Sequence, residues 1–585
     1  MIRPVVVVAL CLIFLTANTV PALAAGPKVD IVTGPKPPAL EATAASELVA
    51  QLTRLYKAEV KVNTEIPARS ENLILLGSPE TNPAVKALGA AWPKLTEQGH
   101  LLRTVEVGGR KALLIGGSKP VATLWAVHEL GYQSGVRSLL FGDIDPAEPT
   151  PFKIEGFDTV LEPVHPVRTW KTVGNSPLGA VSWGIADQKP LLMQLVKAKF
   201  NRVVLSLDTQ QPFLQKNGKT DAVPTLAVGF PFRVNGDTAG RGAFGGLKQF
   251  QNPDFAGKLT PAEWNQAGQN YLRELIASAK TAGLDVTLHF TGTNAEEAGK
   301  EFSRVAGAIA TGNYVSVDDQ LTQASLTKDG RQHVASLVLG MNSVGPLPQA
   351  DQNMAAGKIQ AMVQQSGAKD GQRQYGFIVE ALNPSDIGPL MHYLSRAGFD
   401  PTITPAVANK LLVDAACGSG TDSPMQKGLD RLQKATAGIA TNDPEFVPFG
   451  SDFLLKEYHS GKPAPKWWAD VQNDYLEAMN EMYRANGHSR EDGRVLTLYF
   501  CRRMEFGYEY FNILTALRNA GIARDKKDTE TQIAELEKAV DSFNGGLNAM
   551  AAVSRTPSDR AVIAVMNAYG YHPVKAELEK LLDAQ

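Results

Sequence analysis

Cysteine is nearly missing from this chain, with three in 585 residues. One of them, Cys11, falls in an N-terminal apolar run, which leaves Cys417 and Cys501. Two thiols in so long a chain do not make a disulfide framework, and free or casually paired thiols are the expectation. An excess of one charge is missing too, with 58 basic against 60 acidic residues. No basic block argues for nucleic acid, and no polybasic amphipathic helix argues for a membrane surface. Beyond the leader no apolar run reaches the ~20 residues a membrane-spanning helix requires. The nine histidines form no His-x-x-x-His pair and Cys-x-x-Cys is absent, so no metal site is expected. There is no Gly-x-Ser-x-Gly elbow, which disfavours a serine hydrolase. Gly245-Gly-Leu-Lys248 runs into Gln249 rather than Ser or Thr, which does not match a P-loop. No organic cofactor is implied, and neither an internal repeat nor a low-complexity segment is found.

What is present begins with a leader-like segment over residues 1–24. Arg3 supplies a charge, Val5 to Leu15 an apolar core, and Ala22-Leu-Ala24 a small-residue cleavage site. Leu10 before Cys11 is the wrong neighbour for a lipoprotein signal, so the expectation is an exported protein, secreted or periplasmic. The 44% hydrophobic content and the length predict three domains. These are an α/β unit over 25–160, a (β/α) barrel over 161–413 and a helical domain over 414–585.

In the first domain, Val29–Val32 and Asn72–Leu76 read as strands and Glu41–Glu59 as a helix. Segments 100–107 and 111–115 form a hairpin about Gly108-Gly109. Lys119–Tyr132 is an amphipathic helix, and Val136–Phe141 a final strand. In the second, short apolar runs at 167–172, 202–207, 285–290, 334–340 and 376–381 are fed by amphipathic helices, with a weaker run at 314–317. Such alternation implies parallel strands in an α/β, TIM-like barrel. Five or six strands fall short of eight, so the barrel is incomplete or two strands are disguised. Beyond Cys417, segments 467–485, 490–520, 529–553 and 559–582 carry helical periodicity. They predict a bundle packed on the barrel or on a second subunit of a homodimer.

The segment Leu113-Leu-Ile-Gly-Gly-Ser-Lys-Pro-Val-Ala-Thr-Leu-Trp-Ala-Val-His-Glu-Leu-Gly131, followed by Ser134-Gly-Val-Arg137, resembles the pre-barrel domain of bacterial α-glucuronidases and hexosaminidases. Tyr393-Leu-Ser-Arg-Ala-Gly-Phe-Asp-Pro401 is similar to the α-glucuronidase segment that ends the barrel. Tyr499 to Phe506, and Asp559-Arg560 through Tyr569-Gly-Tyr571, resemble helical-domain features of that group. The resemblance implies a carbohydrate-active protein and, where catalytic carboxylates are present, glycoside hydrolysis. The sequence departs from the family in having Thr291-Gly-Thr and Met341-Asn-Ser after two strands, without an acid. Phe399 also replaces the usual Trp.

Glycoside hydrolysis uses two carboxyl groups, one held protonated and one ionised. Glu380 and Asp208 end barrel strands, where catalytic side chains belong; the plain alternatives are a salt bridge and a loop cap. Asp386 reads as the N-cap of a helix over 387–397, and Asp318-Asp319 as a solvated turn. His289, near a strand end, could hydrogen-bond a sugar hydroxyl. The long connection from Asp208 to about Thr260 reads as a lid with Phe232 or Phe244 as apolar walls. Its Arg233 or Arg241, with Asp237 between them, could hold a uronic carboxylate through a bidentate fork. Trp170 and Trp183 offer indole faces to a pyranose, with core packing the alternative. The expected activity is that of an α-glucuronidase-like hydrolase acting on an acidic oligo- or polysaccharide. The alternative is a non-catalytic carbohydrate-binding or scaffold protein with a degenerate barrel.

Overall fold

The computed structural model describes residues 26–173, 176–179, 182–208, 231–257, 260–291, 315–317, 333–338, 345–365, 374–443, 446 and 452–584. The leader-like segment and Asp318-Asp319 lie outside them. Among the described residues, no helix is long and apolar enough to cross a membrane.

Short apolar runs build the first sheet. Its order is Glu59–Asn63, Lys28–Val32, Leu73–Leu76, Arg110–Gly117, His100–Val107 and Asp158–Leu161. The first four run parallel, His100–Val107 runs against them, and Asp158–Leu161 pairs antiparallel with His100–Val107. The hairpin needs Gly108 and Gly109, whose φ of +57° and +73° disfavour side chains. Helices Ala39–Tyr56 and Pro120–Gln133 cover one face. Two expectations are corrected. The first helix stops at Tyr56 because Lys57 takes a left-handed φ of 55°; no glycine announces that stop, and the edge strand Glu59–Asn63 is too exposed to show an apolar pattern. The closing strand is Asp158–Leu161, whereas segment 136–141 contributes to a small hairpin, Arg137–Leu139 with Gly142–Ile144.

The second sheet holds all six strands read from the sequence. Its order is Val315–Val317, Asp285–Thr291, Arg202–Asp208, Val167–Lys171, Gln374–Glu380 and His333–Val338, every pair parallel. Numbered along the chain this is 4-3-2-1-6-5, so each step between consecutive paired strands moves in the same direction. Right-handed crossovers then put their helices on one face. That face carries Trp170, Val203, Leu205, Val286, Leu288, Phe377 and Val379, packed with Leu195, Leu272, Ile276, Ile359 and Leu394 of the flanking helices. The same core continues into Leu48 and Trp125 of the first domain. Strand alternation places Thr169, Lys171, Ser206, Thr287, His289 and Glu380 on the other face. Val167, Val204 and Ile378 share that second face and Arg168 lies on the first, so the polar side chains are concentrated on the face away from the helices without filling it.

From Pro405 onward the chain is helical: Pro405–Cys417, Asp422–Asn442, Phe453–His459, Lys466–His488, Arg494–Asp525, Thr529–Val553, Pro557–Met566 and His572–Leu582. Cys417 and Cys501 are free and buried in this region. The last two helices are joined by a π-turn, Asn567–Tyr571. Pro573 cannot donate the next i→i−4 bond, and the His572 amide reaches back to Asn567 O instead.

Candidate functional site

In a parallel sheet the chemistry gathers at the carboxyl ends of the strands. Glu380 and Lys171 face each other in register on adjacent strands. Lys171 Nζ lies 3.3 Å from Glu380 Oε2, and both residues are buried. Burial raises the Glu380 carboxyl above its ordinary range, and the opposing pull of Lys171 does not cancel it. His289 is buried two strands from Lys171, in register with Ser206. Ser206 N donates to Thr172 Oγ1 at 3.1 Å, which ties the next turn of chain to the same end. Asp208 closes its strand in register with Thr291. The strands bearing Glu380 and His289 are three spacings apart, about 14 Å along a flat sheet. The structure thus brings Glu380, Lys171, His289 and the backbone of Asp208 to one end of one sheet. A buried carboxyl biased toward its protonated form, beside a cation, is equipped to donate a proton to a leaving oxygen.

The rim at this end is gripped by the helical region. Arg503, fully buried, donates from Nε and Nη2 to the two Asp386 oxygens, each at 2.7 Å, and from Nη2 to Pro346 O at 2.8 Å. Tyr475 donates to Pro348 O at 3.0 Å. Asp559 accepts from Asn383 Nδ2 at 3.0 Å and Ser385 Oγ at 3.1 Å. Tyr499 Oη lies 2.9 Å from Asp386 and 3.0 Å from Asp559. Asp386 is therefore not the expected N-cap. The cap position of helix Gly388–Ala397 is Ile387, with no side-chain bond, because the Asp386 carboxylate is committed to Arg503. A cavity of about 30 Å³ touches Leu347, Asp351, Asn383 and Asp386, room for a single water.

The other sequence candidates go elsewhere. Trp170 is 3% exposed on the apolar, helix-covered face. Trp183 is 4% exposed and donates from Nε1 to Ser558 Oγ at 2.8 Å. Neither indole lies open to a sugar. The strip 231–257 docks on the C-terminal helices. Phe232 packs on Tyr569, and Phe244 on Phe250; both sit in the helical region's core, not as walls of an open lid. Asn567 bonds both the N–H and the C=O of Ala239 at 2.9 Å. A Cβ on Gly240 would stand 2.6 Å from Leu547 O, and its φ is +72°, so glycine is required there. Asp237 pairs with Lys575 at 3.1 Å. Arg233 and Arg241 are exposed on this strip.

Sequence reasoning gave no role to Lys171, Arg503 or Asp559. A lysine ending the buried run Val167–Lys171 was the one local signal. Among the described residues, no group of three or more His, Cys, Asp or Glu is placed to hold a metal ion.

Residues 25–130 match the family described as glycosyl hydrolase family 67 N-terminus. No curated protein matches the chain. Among solved structures, a family GH115 4-O-methyl-α-glucuronidase with specificity for decorated arabinogalactans is 14% identical, covers 92% of this chain and 79% of its own, and has a TM-score of 0.54. A GH138 enzyme targeting pectin rhamnogalacturonan II is 9% identical over 95% of this chain and 99% of its own, at TM-score 0.47. A family 89 glycoside hydrolase from Clostridium perfringens is 9% identical over 86% and 65%, at 0.43. Of these three, the first supports a shared fold. The chain resembles α-glucuronidase-like glycoside hydrolases in the sequence of its first domain and in overall fold.

Proposed function

We propose that this chain is an exported glycoside hydrolase that removes an acidic sugar from an oligo- or polysaccharide. The carrying observation is the buried Glu380 carboxyl, raised by burial, at the trailing end of a parallel sheet. In this reading the sheet is part of a (β/α) barrel spanning residues 161–413, between the domains at 25–160 and 414–585. Strand order and the concentration of polar side chains on one face support that reading. Glu380 protonates the glycosidic oxygen as the bond to the anomeric carbon breaks. Asp208, as a carboxylate, takes a proton from the attacking water or attacks the anomeric carbon itself. His289 contacts a ring hydroxyl. The family resemblance favours a glucuronic acid derivative as the sugar removed.

A second reading, carbohydrate binding without turnover, is favoured by the sequences Thr291-Gly-Thr and Met341-Asn-Ser, neither of which contains an acid. Incubation with glucuronate-decorated xylan and arabinogalactan oligosaccharides separates the two. Free uronic acid in the products supports hydrolysis; saturable binding with no product supports the second reading. Assembly of the helical region into a homodimer is a separate proposal, tested by light scattering.

A further inference from the structure

A cavity lies at the opposite end of the second sheet, against the first domain. Its volume is about 220 Å³, the share of roughly seven waters, enough for one sugar ring and too little for an oligosaccharide. Helices Ala39–Tyr56 and Pro120–Gln133, the hairpin at 137–144, residues 197–199 and the end of helix Gly388–Ala397 all contribute walls.

Two features define what fits. First, the wall residues carry polar atoms that no protein group satisfies: Gln51 Nε2, His128 Nε2, Tyr132 Oη and Asp143 Oδ1. Gln51 is 8% exposed, and buried polar atoms of this kind need a partner. The Tyr132 ring is already covered by the guanidiniums of Arg137 and Arg396, centred 4.0 and 4.2 Å from it, and by His392. Its hydroxyl is buried without a partner. Second, the cations around the cavity are already neutralised. Lys197 pairs with Asp143 at 2.6 Å, Arg54 with Asp145, and Lys199 and Arg396 share Glu129 at 2.8 and 2.7 Å. Glu47 adds a further carboxylate to the wall. Burial, with Lys197 beside it, pushes the His128 imidazole down to about 3, so it is neutral. Lys197, Arg54, Lys199 and Arg396 thus each have a carboxylate partner, and Arg137 beside Tyr132 donates to the carbonyls of Leu411, Tyr132 and Val136, so the surface is dense in hydrogen-bonding groups and none of these five cations is left unengaged.

We propose that this interdomain cavity binds one small neutral polyhydroxylated molecule, a sugar monomer or polyol, clamping the first domain against the parallel sheet. The site is independent of the Glu380 reading, because it lies beside the strand starts rather than the strand ends.

The test titrates the full-length protein with D-galactose and myo-inositol, and with D-glucuronate as a charged comparator, by calorimetry and amide hydrogen exchange. Saturable binding of a neutral probe at one site per chain is expected, with slowed exchange in segments 47–54 and 392–396. Glu380→Gln leaves the affinity within about twofold, and Gln51→Leu weakens it about tenfold through a lost buried hydrogen bond. Absence of saturation overturns the proposal, as does preference for glucuronate. Loss of binding in Glu380→Gln with retention in Gln51→Leu overturns it too. Should Gln51→Leu fail to fold, the wild-type exchange footprint decides: protection outside those two segments alone contradicts the assignment.

Discussion

Two buried Glu–Lys pairs sit at opposite ends of the same parallel sheet and behave in opposite ways. At the strand starts, Glu129 is held by Lys199 at 2.8 Å and Arg396 at 2.7 Å. Burial alone would raise its carboxyl, yet two cations keep it well below the usual range. At the strand ends, Glu380 has Lys171 at 3.3 Å, and there burial wins. Residue type is the same in both; the number and closeness of cations decide the sign. The first pair fastens a helix of one domain to the next. The second leaves a carboxyl poised to hold and release a proton.

The sharpest way to break this contrast is Glu129→Gln. It strands the buried Lys199 and weakens the hold on Arg396, at an expected cost of about 3–5 kcal/mol. Hydrogen exchange along helix Pro120–Gln133 should accelerate; unchanged protection would remove the lock. Next comes Asn567→Ala, which deletes both bonds to Ala239 and should cost about 2 kcal/mol. Its readout is faster proteolysis within 231–257, since that strip is fastened there rather than at the sheet. Lys171→Met removes the one cation that, among the described residues, faces Glu380. It should move the alkaline limb of activity upward by about one pH unit, roughly 1.4 kcal/mol; an unmoved limb would detach Lys171 from the acid.

Acidification should separate the two ends further. The folded Glu129 carboxyl lies below its ordinary value of 4.5. Its stabilisation is full above that pH and is lost as the pH falls toward the folded value. Glu380 lies above its ordinary value, so its penalty appears as the pH rises through the raised value and vanishes in acid. Exchange protection measured across pH should therefore fade first around helix Pro120–Gln133.

The pattern of legibility follows from range. Apolar runs fed by amphipathic helices are local, and all six strands of the second sheet were readable from them. The stop at Lys57 was not, because a left-handed lysine leaves no mark in composition. Glu380 was legible as a strand-ending acid, but Lys171 as its partner depends on pairing across some two hundred residues of chain. Arg503 with Asp386, and Asp559 with Asn383, join residues more than a hundred apart. Tyr499 and Asp559 did stand in segments with a family resemblance, yet their task of gripping the strand-end rim needed coordinates. Trp170 shows the limit of residue type: an indole suits a sugar face, but strand alternation turns it to the helix side.

The most direct measurement pairs binding with turnover for wild type and Glu380→Gln on one glucuronate-decorated oligosaccharide. The account predicts affinity within a few-fold and turnover lower by about 10²–10⁴-fold in the variant. Equal turnover by both proteins would contradict it.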